Sequence, residues 1–198
     1  MVRNLVVLLF LFLSCVSALN WPWQKNSVES CDNQVKLSSR QTPRGDKYLI
    51  GVGRADITGP VAELALAGYG KFEQTGSGLR QRLYSRAFIV ADPKTPEDRM
   101  VYLVLDDLAG DTAVRYGAID ELAALGGDYA LYNQQNIALT ATHTHSGPGG
   151  WFNYLIPQAP TLGLDKQSYQ AIVDGVVLSI KRAHDSLDEV RGLIHRKL

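Results

Sequence analysis

The pattern that most constrains the fold of this chain is a helical segment between two short apolar runs, Met100–Leu105 and Asn136–Thr142. Asp111 precedes the helical pattern as an expected N-cap, and Gly126-Gly127 follows it as a stop. We therefore predict a strand–helix–strand unit, whose crossover helix makes the two strands parallel. The apolar residues that recur at helical spacing are Val114, Ala118, Ile119, Leu122 and Leu125.

Parallel strands bring their carboxyl ends to the same edge of a sheet, and open α/β sheets bind ligands at that edge. Asp106-Asp107 ends the first predicted strand, and the His143-Thr144-His145 triplet ends the second. Two carboxylates and two imidazoles are therefore expected to lie near one another if the strands are neighbours.

The remaining patterns extend this unit into a larger sheet. An apolar run at Ala87–Ala91 is joined to Met100 by the turn-rich linker DPKTPEDR, which is typical of a hairpin, and organised sequence begins at Tyr48. A long amphipathic helix is predicted in SYQAIVDGVVLSIKRAHDSL, starting at Ser168. The predicted fold class is α/β in the broad, mixed α+β sense: a βαβ-containing sheet flanked by helices.

Charge composition argues against one class of function. The 20 Lys and Arg residues balance the 20 Asp and Glu residues, so the net charge is zero, and no basic run stands out. A nucleic-acid partner is therefore not expected.

The N-terminus has the pattern of a secretory signal peptide. Arg3 precedes an apolar core, and Val16-Ser17-Ala18 fits a cleavage site, which predicts a signal peptide over residues 1–18 and a secreted or cell-surface location. A retained membrane anchor is the alternative. Residues 19–47 are predicted to form a poorly ordered lead-in before the domain at 48–198. Cleavage would leave Cys31 as the single cysteine, which excludes a disulfide within the chain.

The histidine triplet is the strongest candidate for chemistry. In an extended chain residues i and i+2 project to one side, so His143 and His145 can address one metal ion, and imidazole is a common zinc ligand. A solvent-facing polar loop is the alternative. Ser146 is not favoured as a nucleophile, because adjacent residues in a strand point apart.

Other polar and glycine-rich features are weaker candidates for a functional site. Asp106 and Asp107 either orient an imidazole or cap the strand end. His184 is predicted to be a packed residue at the core boundary, and His195 to be exposed. Neither Gly51-Val52-Gly53 nor Gly68-Tyr69-Gly70 completes a dinucleotide fingerprint, since Asp56 and Glu73 stand where a third glycine is needed.

Several motifs together resemble the neutral ceramidase family, also described as neutral/alkaline or non-lysosomal. They are GVGRADITGPVAE, GYGK, RLYSRAFIVAD, LDDLAGD, NIALTATHTHSGPGGW and YQAIVDGVVLSIKRAH, and they run in order from about Tyr48 to the end of the chain. The stretch LDDLAGDTAVRYG further resembles fungal members.

The resemblance implies a zinc-dependent amidase that hydrolyses the N-acyl bond of ceramide to sphingosine and a fatty acid. It implies that His143 is a zinc ligand and that His145 is a catalytic residue beside the metal. The family's other three zinc ligands lie downstream of the position that matches Leu198. The chain is therefore expected to be an N-terminal portion of the catalytic domain, inactive alone and completed by a C-terminal part of the same protein.

The resemblance also implies a lipid substrate at a membrane or micelle surface. The segment WFNYLIPQAPTLGL, Trp151–Leu164, is apolar and follows the histidines. It is interpreted either as the border of a lipid entrance or as core packing. A short non-catalytic lipid-binding or interaction module derived from the same fold is the alternative function.

Overall fold

A five-stranded sheet forms the centre of the computed structural model, which describes residues 47–191. The strands are β1 (Lys47–Asp56), β2 (Tyr84–Ala91), β3 (Arg99–Leu105), β4 (Ile137–Ala141) and β5 (Asp188–Arg191), in the spatial order β4-β3-β2-β1-β5. The helices are α1 (Thr112–Leu125), α2 (Leu155–Gln158) and α3 (Lys166–Asp185), with short 3₁₀ turns at Gly127–Leu131 and Ala159–Thr161. The predicted signal peptide, most of the lead-in, Cys31 and His195 lie outside the described residues.

Strand pairing confirms the mixed α/β prediction and its central unit. β3 and β4 pair in parallel, with Leu103 opposite Leu139, and α1 is the crossover between them. β2 and β3 form the predicted antiparallel hairpin, and β1 pairs antiparallel with both β2 and β5. Several boundaries differ from the prediction by one to three residues: β1 begins at Lys47, β2 at Tyr84 instead of Ala87, and α3 at Lys166 instead of Ser168. Strand β3 begins at Arg99 instead of Met100, and β4 covers Ile137–Ala141 instead of 136–142.

Helix α1 begins and ends where its sequence predicts. The Asp111 carboxylate accepts hydrogen bonds from the backbone N–H groups of Ala113 (2.8 Å) and Val114 (3.4 Å), and Gly126 ends the helix with φ 67°. Four of the five predicted apolar positions are buried, whereas Leu125 in the last turn is half-exposed. The burial of this face against the sheet and α3 accounts for most of the stability of α1.

Helix α3 packs on β1 at unusually short range. Gly51 and Gly53 face α3, and a Cβ atom at either position would overlap a backbone carbonyl oxygen, that of Ala183 or Ser179 respectively. These two glycines, which do not complete a dinucleotide fingerprint, therefore allow α3 to pack closely on β1. The core between helices and sheet includes Ile89, Leu103, Leu105, Val114, Leu122, Ile172, Val176 and Ile180.

The opposite face of the sheet is apolar and is not covered by any element within residues 47–191. Cross-strand pairing places Val52 beside Phe88 and Phe88 beside Tyr102 in one row. The next row is Ile50, Val90 and Met100, and all six side chains are at least 40% exposed.

Within the described residues, no helix combines the length and apolar character needed to cross a membrane.

A carboxyl group is buried just after β3. Asp107 is 2% exposed. Burial raises the pKa of Asp107 from 3.8 to about 8, and the nearby Asp106 carboxylate adds to the rise, although the N–H of Leu108 donates to Asp107 at 2.9 Å and opposes it. The raised pKa therefore favours the protonated form of Asp107 in the folded protein at neutral pH.

Gly53→Ala is expected to destabilise the fold, because the new methyl group meets backbone atoms of α3 that cannot rotate away. We expect a loss of about 3 kcal/mol in the free energy of unfolding, measured by urea titration. Val52→Ala is the matched control, since the neighbouring Val52 side chain is 56% exposed on the other face. Equal losses for the two variants would contradict the close packing of α3 on β1.

The buried carboxyl of Asp107 is expected to make stability fall as pH rises from about 4 to about 8. The folded state keeps the proton in this window while the unfolded chain releases it, so unfolding releases a proton, with a limit of about 1.4 kcal/mol per pH unit. Asp107→Asn should flatten this slope in urea titrations between pH 5 and 8. Asp120→Asn, at an exposed carboxylate on α1, should not change it; a slope that survives in Asp107→Asn would contradict the assignment.

Candidate active site at the histidine loop

The histidine loop, defined here as Thr142–Gly150, continues the parallel pairing of β3 and β4 beyond the ends of both strands. The N–H of Thr142 donates to the carbonyl of Leu105 at 2.8 Å, and the N–H of Thr144 donates to the carbonyl of Asp107 at 3.1 Å. These bonds hold the loop against the segment that leads into α1. The histidines therefore lie at the carboxyl edge of the sheet, as predicted.

On its other side the loop pairs with the segment Ala65–Ala67. The N–H of Ala67 donates to the carbonyl of Gly147 at 3.0 Å, and the N–H of Gly149 donates to the carbonyl of Ala65 at 2.7 Å. An isolated bridge also joins Leu66 to Pro148. The histidine loop is thus fixed by main-chain bonds on both sides.

His143 leaves the extended conformation. Its φ of 65° is left-handed, and the strand has already ended at Ala141, so the predicted alternation of side chains along an extended chain is wrong for this residue. The Nδ1 atom of His143 lies 2.8 Å from the carbonyl oxygen of Leu108. A carbonyl only accepts, so Nδ1 carries a proton, and in the neutral ring Nε2 is then the acceptor that a ligand could use.

The two imidazole rings nevertheless lie close together. The rings of His143 and His145 have centroids 5.1 Å apart and are nearly perpendicular, at 85°. The Tyr69 ring lies 5.3 Å from the His145 ring on another side. The Nδ1 atom of His145 is buried and has no hydrogen-bond partner among residues 47–191. The left-handed turn at His143, and not strand alternation, brings the rings together.

The two aspartates do not contact the imidazoles. Arg86 donates two hydrogen bonds to the Asp106 carboxylate, at 2.7 and 2.9 Å, and this pairing raises the pKa of Arg86. Asp107 is occupied by the N–H of Leu108. The structure therefore favours the strand-end interpretation of both carboxylates, and a backbone carbonyl orients His143.

The described residues do not contain a complete metal site. Across residues 47–191 there is no group of three or more histidine, cysteine, aspartate or glutamate side chains placed to hold one ion. His143 fits the requirements of one ligand, since its Nδ1 is held by a carbonyl and its Nε2 is left as an acceptor. A hydrolytic zinc needs about three protein ligands.

Two cavities lie near the histidine loop. The first, called here the loop cavity, has a volume of about 590 Å³ and a lining of mixed polarity. Its polar lining includes Thr142, Thr144 and Ser146 from the loop and the Arg86–Asp106 pair, and its apolar lining includes Val61, Leu66, Leu79 and Leu83. An apolar cleft of about 630 Å³ is lined by Leu108, Ala109, Gly110, Phe152, Tyr154, Leu155, Ile156 and Pro157. Leu108 lines this cleft and also supplies the carbonyl that bonds to His143, although His143 itself does not line the cleft.

The apolar segment Trp151–Leu164 divides into a buried part and an exposed part. Trp151 and Phe152 are core residues, with rings stacked at 3.9 Å, so the core-packing interpretation holds for these two, although Phe152 also lines the cleft. Trp151 Nε1 also donates to the carbonyl of Pro148 at 2.8 Å. By contrast, Leu155 and Ile156 are 81% and 87% exposed beside the cleft.

His184 packs at the boundary of the core, as the sequence predicts. It is half-buried, and its Nδ1 lies 2.7 Å from the hydroxyl of Tyr132. Sequence reasoning missed the contacts of Gly68 and Tyr69 with His145. The pair of glycines around Tyr69 was the available signal, because glycine marks close backbone approach as well as phosphate loops.

Comparison with known proteins identifies relatives for most of the described chain. Residues 48–196 match the family model of neutral/alkaline non-lysosomal ceramidase, N-terminal. The chain is 43% identical over 140 residues to neutral ceramidase of Oryza sativa subsp. japonica, and 42% identical over 136 residues to that of Mycobacterium tuberculosis. These alignments cover 71% and 68% of this chain.

Comparison of the fold with solved structures also identifies a neutral ceramidase as similar. The crystal structure of neutral ceramidase from Pseudomonas aeruginosa superposes with a TM-score of 0.67 at 38% identity, covering 71% of this chain and 22% of that one. The alignments cover only 17% of the rice protein and 21% of the mycobacterial one, so this chain spans about a fifth of the length of these relatives. By its family match, its relatives and its fold, the chain belongs to the neutral/alkaline non-lysosomal ceramidase family.

Proposed function

We propose that this chain forms the His143 side of a zinc-dependent amidase site that hydrolyses the N-acyl bond of ceramide. The observation that carries the proposal is the hydrogen bond from His143 Nδ1 to the carbonyl of Leu108, which presents Nε2 as a ligand beside His145. Membership of the family supports the substrate class.

In this proposal each histidine has its own role. His143 supplies one ligand, and Leu108 holds its ring in the required tautomer and orientation. His145 lies beside it and contacts the substrate as a group that exchanges a proton or donates a hydrogen bond. A zinc ion at this position supplies Lewis-acid polarisation of a carbonyl oxygen and of a water molecule.

We propose that the remaining ligands come from polypeptide beyond the described residues, in a C-terminal part of the same protein. Two observations support this: residues 47–191 contain no complete ligand group, and the chain spans about a fifth of its relatives. The bare apolar face of the sheet is a suitable surface for such a part, since six large apolar side chains there would be removed from water.

The apolar cleft is the proposed entrance for an alkyl chain. Leu155 and Ile156 are exposed beside a cleft that is lined by Leu108, the residue whose carbonyl bonds to His143. In this proposal a lipid lying in the cleft extends its polar end toward the imidazoles. Exposed side chains of this kind also suit contact with a membrane or micelle surface. We propose delivery to the cell surface or secretion, supported by the signal pattern of residues 1–18.

A second candidate function is a non-catalytic lipid-binding module. The exposed apolar cleft favours it, and so does the incomplete ligand group of the described residues. The two functions differ in one measurable respect. The amidase proposal requires that residues 47–191 support turnover once the rest of a catalytic domain is supplied, whereas the binding module requires lipid association only.

The histidine roles are tested by grafting residues 47–191 into the rice relative in place of its matching segment. The unmodified graft is expected to hydrolyse a fluorescent ceramide. We expect His143→Ala to lower kcat/KM about 1,000-fold or more and to remove stoichiometric zinc, because the ion loses a ligand. We expect His145→Ala to lower kcat about 100-fold or more with zinc retained, as measured by elemental analysis.

His184→Ala is the matched histidine control, since this residue packs against Tyr132 away from the loop. Near-normal turnover in His143→Ala would contradict its role as a ligand. Loss of zinc in His145→Ala would make that residue a ligand as well. An inactive graft that folds and still binds ceramide vesicles would favour the binding module.

Replacing Leu155 and Ile156 with serine is expected to weaken binding to ceramide-containing phosphatidylcholine vesicles about tenfold or more, because each exposed side chain loses apolar area for the lipid. Vesicle sedimentation measures the binding, and an unchanged Tm would follow from their exposure. Leu125→Ser is the control, at a half-exposed leucine in the last turn of α1. Equal effects of the two changes would exclude the cleft as the entrance.

A further inference from the structure

Gly68 lies directly against the imidazole of His145. A Cβ atom at position 68 would stand 2.6 Å from both Cε1 and Nδ1 of His145 and 3.1 Å from a methyl group of Leu108. Real Cβ atoms do not approach other heavy atoms so closely, so any side chain at this position requires a movement. Gly68 also has a left-handed φ of 84°.

The segment that carries Gly68 cannot retreat from the histidine loop. The adjoining residues Ala65 and Ala67 bond to Gly149 and Gly147 through their main chains, at 2.7 and 3.0 Å. Gly68 therefore lies one residue beyond a short antiparallel pairing with the loop that holds His145. A larger residue at position 68 must displace the imidazole ring and not the backbone.

The other sides of the His145 ring are also bounded. The His143 ring stands 5.1 Å away edge to face, and the Tyr69 ring stands 5.3 Å away at 60°. Displacement away from position 68 would change the relation of the two imidazoles. Because no described group bonds to Nδ1 of His145, packing and not hydrogen bonding at that atom sets the position of the ring.

We propose that Gly68 is a positioning residue for His145: the absence of a side chain at position 68 sets the orientation of that imidazole relative to His143. The consequence for catalysis rests on the proposed function, in which His145 contacts the substrate. The steric relation itself depends only on the packing of residues 65–69 against the histidine loop.

Gly70 provides a matched control. Gly70 also has a left-handed φ, of 64°, but a Cβ atom there would meet nothing within 4 Å among the described residues. Alanine at either position incurs the same kind of backbone strain. The difference between Gly68→Ala and Gly70→Ala therefore reports the contacts of position 68 with His145 and Leu108, of which the two approaches to His145 are the closer.

The experiment is a double-mutant cycle on the chain as it stands, with Tm as the readout. We expect Gly68→Ala to lower Tm by about 5 °C more than Gly70→Ala does. In a His145→Ala background most of this difference should disappear, because the imidazole that clashes is gone and only the looser contact with Leu108 remains. In NMR spectra the ring resonances of His145 should shift in Gly68→Ala and stay in place in Gly70→Ala, with those of His184 constant in both.

Each outcome decides the proposal. A Tm difference that persists without the His145 imidazole, or unshifted His145 resonances in Gly68→Ala, would overturn it. If Gly68→Ala fails to fold, the Gly68→Ala/His145→Ala double variant must fold to uphold the proposal. None of these measurements involves zinc or ceramide, so the positioning role can fail while the amidase proposal stands, and the reverse.

Discussion

The parallel pairing of β3 with β4 is the interaction on which the rest of the site depends. Its hydrogen bonds continue past both strands, from Thr142 to Leu105 and from Thr144 to Asp107, and the imidazole of His143 adds a bond to Leu108 one step further. These main-chain hydrogen bonds therefore restrain the histidine loop in the same way as they restrain the sheet. A catalytic group on a loop needs such support, because an error of about 1 Å in its position can cost about 100-fold in rate.

The two carboxyl groups that follow β3 have partners other than the histidines. Arg86 forms a bidentate pair with Asp106, and burial raises the pKa of Asp107, which favours its protonated form at neutral pH. A carbonyl dipole, and not a carboxylate, orients His143. If His143 binds zinc as proposed, its ring acts as a neutral ligand.

The two cavities near the histidine loop differ in polarity. The loop cavity combines hydroxyl groups and the Arg86–Asp106 pair with aliphatic side chains, whereas the cleft beside Leu108 is bounded almost entirely by apolar side chains. This difference follows from the chain path. Alternate residues of the histidine loop line the loop cavity, and the segment after Trp151 turns back over the start of α1.

The sequence by itself determined the βαβ unit, the limits of α1, the hairpin and the edge at which the histidines lie, because periodicity and caps are local properties. Only the tertiary structure decided the conformation of His143, the burial of Trp151 and Phe152, and the contact between Gly68 and His145. These depend on residues far apart in the chain. Neither a left-handed φ at a histidine nor the choice between core and surface for an aromatic pair has a local signature, since each is set by what packs around it.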